Sequence, residues 1–415
     1  MVILYNSGIF LLKFLYWIAS WFNPKARTLR QGRRQQREKL EKTFPLVPSD
    51  TLVWFHCASL GEFEQGRPVI EALKFSKPSL KILLTFFSPS GYVARKNYAF
   101  ADFIFYLPWD TRKNAKWFAE KVHPALVVFV KYEFWYHYSI ELNKRAIPLI
   151  SISSIFRPDQ IFFKPYGSIF RSMLKSFRHF FVQNHQSVDL LQSIGIANVT
   201  LAGDTRFDRV YQITQQAEEI PIVERFKDGQ KIMVVGSAWP EDMDVLLPFI
   251  NENINNLKFI IAPHEINEDF LRDIEKSIDG KSVRYSKVND SAIQDTSVLI
   301  IDNIGMLSRL YRYGEFSFVG GGFGEGLHNI LEAACYGIPV FFGNKAYQKY
   351  QEAVDLVFRG GAFEVGNFME LKSKYEMMIN HPETFLLACD VTRHYILENL
   401  GATDKIVDYC NKSLS

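Results

Sequence analysis

The sequence has few features that would restrict it to a specialised class of protein. It contains only four cysteines, and none lies in a CxxC pair or at a cysteine–histidine metal spacing. This pattern argues against a disulfide scaffold or a zinc module and predicts reduced thiols in a reducing compartment. The formal net charge is only +3, so the composition does not indicate a nucleic-acid partner. No internal repeat is evident, which argues against a solenoid.

The chain is too long for one ordinary hydrophobic core. Its 415 residues, 47% of them hydrophobic, predict a globular α/β protein with two domains. Short apolar runs alternate with helical segments over residues 41–209, and the same alternation resumes over 231–388. Residues 210–230 are interpreted as the linker between the domains, and 389–415 are expected to add C-terminal helices.

Residues 1–22 form a long apolar stretch that is rich in aromatic side chains. Polar Asn6, Lys13 and Ser20 recur every seven residues, so a helix would place them on one narrow stripe. Seven basic residues follow between positions 25 and 39, and no small-residue cleavage site is apparent. An apolar helix with a basic collar over 1–40 predicts association with a phospholipid surface, with the rest of the chain in the cytoplasm. A membrane-spanning helix and a helix pair packed on the protein's own core remain the alternatives.

A glycine-rich loop follows the apolar run at residues 316–319, which reads as a buried strand. A helix is expected over 330–336 and a second strand over 340–342. The loop matches neither GxGxxG nor a Walker sequence, so phosphate binding and a plain tight turn are equally open. Asn329 could cap the helix or contact a ligand, and Glu332 could bind ribose hydroxyls or simply complement the helix dipole.

Polar residues follow the ends of several predicted strands in the first domain. Because parallel strands end at the same edge of a sheet, these residues are expected on one rim. They are Glu62, Ser88 to Ser90, Glu133 and Ser153 to Arg157. Ser59 and Glu62 have the spacing of a helix capping box, but neighbouring glycines favour a loop in which Glu62 could act as a general base. The residues alone leave both readings open.

Several motifs in order make a more specific pattern than any single one. The chain resembles the 3-deoxy-D-manno-octulosonic acid (Kdo) transferases, bacterial glycosyltransferases of lipopolysaccharide assembly. The resemblance covers nearly the whole chain and includes the hydrophobic N-terminus. It is carried by HCASLGE at 56–62, SPSG at 88–91, YLPWD at 106–110, KYEFW at 131–135, GDTRFD at 203–208, GSAWPED at 236–242, APHE at 262–265 and GEGLHNILEAACYGIPVFFG at 324–343.

The resemblance implies a B-type glycosyltransferase fold, α/β in class, with two Rossmann-like domains facing a cleft and an N-terminal membrane-associated helix. It implies CMP-Kdo as donor and a lipid A precursor as acceptor, at the cytoplasmic face of the inner membrane. The reaction would invert configuration with Glu62 as the base, and Glu133, Ser88, Ser90 and Arg157 would support substrate binding.

The resemblance also implies a CMP site in the second domain and no requirement for a cofactor or metal. The residues that match the family's CMP-binding segments are Pro263, His264, Ile304, Gly305, Met306, Asn329, Ile330, Leu331 and Glu332. Two other functions remain open at this point. One is a B-type glycosyltransferase or epimerase that uses a UDP-sugar, and the other is an inactive, membrane-tethered nucleotide-binding module.

Overall fold

The computed structural model describes residues 2–44, 51–216, 218–288, 293–324, 326–345 and 347–414. Glu325, within the glycine-loop motif, lies outside these residues. The chain forms two compact units, of which unit 1 comprises Met1–Asp208 with Leu400–Ser415 and unit 2 comprises Arg209–Asn399. Each unit contains a seven-stranded, wholly parallel sheet with helices.

Unit 1 is a doubly wound sheet with strand order β3-β2-β1-β4-β5-β6-β7. Its strands are β1 (Leu52–Cys57), β2 (Lys81–Phe86), β3 (Phe103–Tyr106), β4 (Leu126–Val130), β5 (Leu149–Ser154), β6 (His179–Val182) and β7 (Val199–Leu201). Its helices are α1 (Val2–Phe22), α2 (Pro24–Thr43), α3 (Leu60–Ser76), α4 (Pro89–Arg95), α5 (Arg112–Val122), α6 (Tyr136–Lys144), α7 (Ser168–Leu174), α8 (His185–Ser193), the start of α9 (Thr205–Gln216) and α18 (Ala402–Ser413).

The central strands of unit 1 are buried on both faces, which is why they read as continuous apolar runs. Trp54 of β1 belongs to one core cluster, whereas its neighbours Val53 and Phe55 belong to the cluster on the other face of the sheet. The strand order reverses between β1 and β4, which pair directly. A ligand site in a doubly wound sheet is expected beyond the carboxyl ends of the two strands at this switch point.

The apolar helix α1 and the basic helix α2 pack on the rest of unit 1. One face of α1 is polar or aromatic: the Tyr5 hydroxyl donates to Asp110, and Asn6 hydrogen-bonds His137 at 2.6 Å. Further along, the Tyr16 ring contacts Trp109 with a centroid separation of 5.7 Å. By length and composition, α1 could cross a membrane.

Unit 2 repeats the same design with strand order β10-β11-β9-β8-β12-β13-β14, so its switch point lies between β8 and β12. Its strands are β8 (Ile232–Ala238), β9 (Lys258–Pro263), β10 (Ser282–Arg284), β11 (Val298–Ile300), β12 (Phe316–Val319), β13 (Val340–Gly343) and β14 (Ala362–Val365). Its helices include most of α9, then α10 (Pro221–Lys227), α11 (Pro240–Asn253), α12 (Glu268–Ser277), α13 (Leu307–Leu310), α14 (Leu331–Ala334), α15 (Gln351–Arg359), α16 (Phe368–Asn380) and α17 (Pro382–Glu398).

Two segments differ from their sequence interpretation. The expected linker over 210–230 carries α10 and most of α9, and it belongs to unit 2. The segment 389–415 is divided, because α17 belongs to unit 2 whereas α18 returns to unit 1 and buries Ile406 and Cys410 in the core beneath α3. Asp208 fixes this return by accepting hydrogen bonds from the backbone of Gly401 and Thr403, both at 2.7 Å.

Candidate active site

Glu62 lies in the first turn of α3, directly beyond the carboxyl end of β1, and not in the glycine-flanked loop that its neighbours favoured. The capping box forms: Glu62 Oε2 accepts from the Ser59 backbone at 3.1 Å and from the Ser59 hydroxyl. The helix forms despite its glycines because its apolar face is fully buried and because Gly66 lets α3 approach Val130 of β4 closely. Only Oε2 is engaged by Ser59, so the capping role leaves Oε1 available for proton transfer.

Glu133 follows β4, the partner of β1 at the switch point, and it is only 8% exposed. Its Oε2 atom lies 2.8 Å from His56 Nε2 and 2.7 Å from Trp135 Nε1, which donates to it. Among the described residues no hydrogen bond engages Oε1. Burial raises the pKa of the Cys57 thiol, and the negative charges of Glu62 and Glu133 raise it further. Because both carboxylates act on this one thiol at the end of β1, they lie at the same end of the sheet.

His56 makes contacts through both nitrogens of its ring, with Thr85 on one side and Glu133 on the other. Its Nδ1 atom faces two oxygens of Thr85, the carbonyl at 3.1 Å and the hydroxyl at 2.9 Å. That hydroxyl already accepts from Trp54 and donates to the Phe55 carbonyl, so Nδ1 must be the donor. On the other side of the ring, Nε2 lies 2.8 Å from Glu133 Oε2 and 3.2 Å from Trp135 Nε1, so the three side chains form one hydrogen-bonded cluster.

The remaining predicted rim residues lie nearby on separate strand ends. The hydroxyls of Ser88 and Ser90 are 2.8 Å apart at the start of α4, after β2. Arg157 follows β5, is exposed, and its guanidinium lies 5.9 Å from the Tyr132 ring centroid. Burial raises the pKa of Tyr132, with Arg157 opposing and Glu62 adding to the rise, so all three groups act on one another.

Three residues at the strand ends have positive φ angles, a conformation that costs a non-glycine residue energy. They are Lys131 after β4 (66°), Ser153 in β5 (52°) and Ser237 in β8 (53°). Each turns the chain at the carboxyl edge of a sheet, where such strain concentrates in functional sites. The sequence did not indicate this backbone conformation, because none of the three is glycine, asparagine or aspartate.

The glycine loop of unit 2 packs closely, backbone against backbone. An added Cβ at Gly320 would lie 2.2 Å from the Ser237 carbonyl, and one at Gly322 would lie 2.4 Å from the Gly343 carbonyl. The loop amides mostly donate internally; the Gly321 amide, for example, donates to Asp242 at 2.9 Å. These contacts favour the tight-turn reading, and phosphate binding by the loop amides stays a prediction.

Three aromatic rings pack together at the unit 2 switch point. The His264 ring packs on both Trp239 and His328, with centroid separations of 4.5 and 4.3 Å, and the Trp239 and His328 centroids are 6.2 Å apart. Trp239 Nε1 donates to His328 Nε2 at 2.9 Å, which leaves the neutral His328 proton on Nδ1. Burial, with a smaller contribution from His264, lowers the pKa of His328 to about 4, so its imidazole is neutral near pH 7. Sequence reasoning missed both Trp239 and His328 as site residues, although both lie within the quoted motifs.

The residues predicted to bind CMP separate into exposed and buried groups. Pro263 ends β9, and Ile304 is 91% exposed beside Gly305, which has a φ of 94°. The side chains of Met306, Ile330 and Leu331 are buried, so a nucleotide could reach only their backbone.

Asn329 and Glu332 remain partly accessible and bond to each other at 3.2 Å. The helix expected over 330–336 is only the four-residue α14. Its dipole is correspondingly small, since the effect depends on aligned peptide units. Within the part of the chain that the structure describes, no group of three or more histidine, cysteine, aspartate or glutamate side chains could hold a metal ion.

Solved structures with a similar fold agree with the arrangement of two sheets. Among solved structures, the chain is similar to the UDP-GlcNAc 2-epimerase from Neisseria meningitidis (TM-score 0.61, 16% identity, 88% of this chain and 100% of that one). It is also similar to a glycosyltransferase from Rickettsia africae (TM-score 0.56, 12% identity, 88% and 99%). The two Rossmann-like sheets thus have the B-type glycosyltransferase fold.

The sequence comparisons give similar proteins of one family. Residues 27–209 match the family described as 3-deoxy-D-manno-octulosonic-acid transferase (kdotransferase). A relative of that name from Aquifex aeolicus is 28% identical over 356 residues, which are 83% of this chain and 92% of the relative. Another from Rickettsia felis is 25% identical over 339 residues, 80% of this chain and 72% of the relative. The matched model and both relatives are Kdo transferases, which confirms the resemblance seen in the motifs and supports a glycosyltransferase activity for this chain.

Proposed function

We propose that this enzyme transfers Kdo from CMP-Kdo to a lipid A precursor, lipid IVA, with inversion at the anomeric carbon. Kdo transfer in lipopolysaccharide biosynthesis is the activity of the family. The observation that carries the finer proposal is the position of Glu62 and Glu133 at the unit 1 switch point, each with one carboxylate oxygen that no described residue engages.

In this mechanism Glu62 Oε1 takes the proton of the attacking sugar hydroxyl. The hydroxyl oxygen forms a bond to the anomeric carbon as the bond from that carbon to the CMP phosphate breaks, and CMP leaves with the electron pair. The transition state has oxocarbenium character, so a base that removes the proton late is sufficient. Glu133 Oε1, held by His56 and Trp135, binds a substrate hydroxyl, and Arg157 offers its charge to an anionic group of the substrate.

Unit 2 would bind the CMP portion of the donor through side chains. The neutral Nδ1–H of His328 and the exposed ring of His264 are available donors at the switch point. Asn329 and Glu332 are placed to bind ribose hydroxyls. We propose that no metal ion takes part, as the resemblance implies.

We further propose that α1 lies on the inner membrane at its cytoplasmic face and does not cross it. Contacts at Tyr5 and Tyr16 hold the helix against unit 1 at two points that are eleven residues, or about 16 Å, apart. The opposite face exposes large apolar residues suited to the lipid interface. They include Phe10, Leu11, Phe14, Leu15 and Phe22.

The test is a transfer assay with CMP-Kdo and a tetraacyl lipid A precursor, read by mass, with Glu62→Gln beside the parent. A gain of one or more Kdo masses, reduced about 10²–10⁴-fold in rate in the variant, is expected. Full activity of a folded Glu62→Gln protein would refute the base, and transfer from a UDP-sugar alone would refute the donor.

A further inference from the structure

Arg33 stands apart from the other basic residues of α2. Its Nε donates to the Leu107 carbonyl at 3.2 Å, and its Nη2 donates to the Phe87 carbonyl at 3.0 Å. Its Nη1 is buried without a hydrogen-bond partner in the described residues. Burial also lowers the pKa of Arg33 to about 10. A guanidinium in this position is not part of a solvated collar that meets lipid, which corrects the sequence interpretation of this residue.

The guanidinium of Arg33 lies over two aromatic rings. Its central carbon is 4.5 Å from the Phe87 ring centroid and 4.2 Å from that of Trp109. The two rings meet edge to face at 5.6 Å, and Tyr16 of α1 contacts both. The rings accept the buried cation in place of hydrogen-bond partners. The helix pair and the loops after β2 and β3 thus form one packed cluster.

This cluster reaches the catalytic rim through Phe87. The Phe87 ring stacks on Trp135 with a centroid separation of 5.0 Å and an interplanar angle of 23°. Trp135 in turn donates to Glu133 Oε2 at 2.7 Å. A continuous set of contacts therefore runs from Arg33 through Phe87 and Trp135 to Glu133. Each ring packs against the next one, so a displacement of Phe87 also displaces Trp135 and the Glu133 carboxylate that it contacts.

We propose that Arg33 is a positioning residue, which holds Phe87 against Trp135 and thereby fixes the Glu133 carboxylate. The α1–α2 pair is then part of the active-site architecture and not only an anchor. This inference rests on the proposed function for the role of Glu133, but the ring geometry it describes does not depend on that function.

The test compares full-length Arg33→Met with a matched control, Arg37→Met. Arg37 lies on the same helix and its guanidinium also lies 4.7 Å from an aromatic ring centroid, that of Trp117, which does not contact Trp135 in the structure. With CMP-Kdo and lipid A precursor in detergent micelles, Arg33→Met should lower kcat about 10- to 100-fold with little change in KM, because small displacements of catalytic groups have effects of this size. Arg37→Met should stay within about twofold of the parent. Binding to vesicles that contain anionic phospholipid should be equal for the two variants.

A second readout is independent of activity. With 5-fluorotryptophan incorporated and the Trp135 signal assigned through Trp135→Phe, the fluorine resonance of Trp135 should move in Arg33→Met and not in Arg37→Met. Phe87→Leu should move it as well, and Phe87→Leu with Arg33→Met should reduce kcat no more than the stronger single variant. An unmoved Trp135 signal in a folded Arg33→Met protein, or a loss confined to vesicle binding, would overturn the inference. If the parent protein shows no Kdo transfer but Arg33→Met still moves the Trp135 resonance, only the proposed function would be rejected.

Discussion

The contact between His56 and Glu133 gives the sharpest test of the candidate site. Replacing His56 by glutamine places an amide near the position of Nε2, so it can still donate to Glu133 Oε2. Replacing it by asparagine places the amide near the position of Nδ1, so it retains the Thr85 contact and loses Glu133. The two variants therefore separate the two sides of one buried ring with side chains of the same chemistry.

The size of the effect follows from the contacts. A hydrogen bond to a charged group contributes about 1.5–3 kcal/mol, and about 1.4 kcal/mol corresponds to a factor of ten. His56→Asn should therefore lower kcat/KM by roughly 10- to 150-fold, since Glu133 keeps only its bond to Trp135. His56→Gln should recover most of that loss.

The assay measures initial rates over a range of acceptor concentration, with thermal unfolding of each variant as a control for folding. Because His56 is fully buried, both variants should lose some stability, and only the activity should distinguish them. Equal activity of two folded variants, or a glutamine variant weaker than asparagine, would refute the reasoning that Nε2 holds Glu133.

Three further predictions concern unit 2 and the metal requirement. Trp239→Phe keeps the ring stack but removes the donor to His328, so CMP affinity measured by calorimetry should fall about 2- to 12-fold, the value of one hydrogen bond. Burial raises the Asp242 pKa from 3.8 to about 6, so the folded state binds an extra proton between those values. Stability should then fall by about 3 kcal/mol as pH rises across that window, and Asp242→Asn should abolish this slope in urea unfolding. Transfer activity should be unchanged by EDTA, and loss of activity that Mg²⁺ restores would contradict the metal-free mechanism.

The fold was predictable because parallel strands buried on both faces are continuous apolar runs. Glu133 was predictable as a rim residue because it directly follows such a run. His56 was not proposed as a site residue, although the sequence gives a signal for it, since histidine is the one strongly polar residue in the run LVWFHC. A buried histidine at this position needs hydrogen-bond partners near the end of the sheet. Its partner Glu133 is 77 positions away in sequence, so it can be identified only once the neighbouring strands are known.

Glu62 and Arg33 show where local reasoning fails. The glycines beside Glu62 disfavour a helix locally, but one of them permits close packing of α3 on β4, and burial of the helix face outweighs the propensity. Arg33 belongs to a run of seven basic residues that look equivalent in sequence. Only the loops after β2 and β3, brought together by the sheet, supply the carbonyls and rings that make it different.

The glycine loop is another segment whose structure the local sequence does not decide. Its composition fits a phosphate cradle and a tight turn equally well, because both need residues without a side chain. The contacts that favour the turn are with the carbonyls of Ser237 and Gly343, which lie on β8 and β13 and become neighbours of the loop only when the sheet forms. Asp242 adds a side-chain contact to the same packing, because it accepts from the Gly321 amide at 2.9 Å.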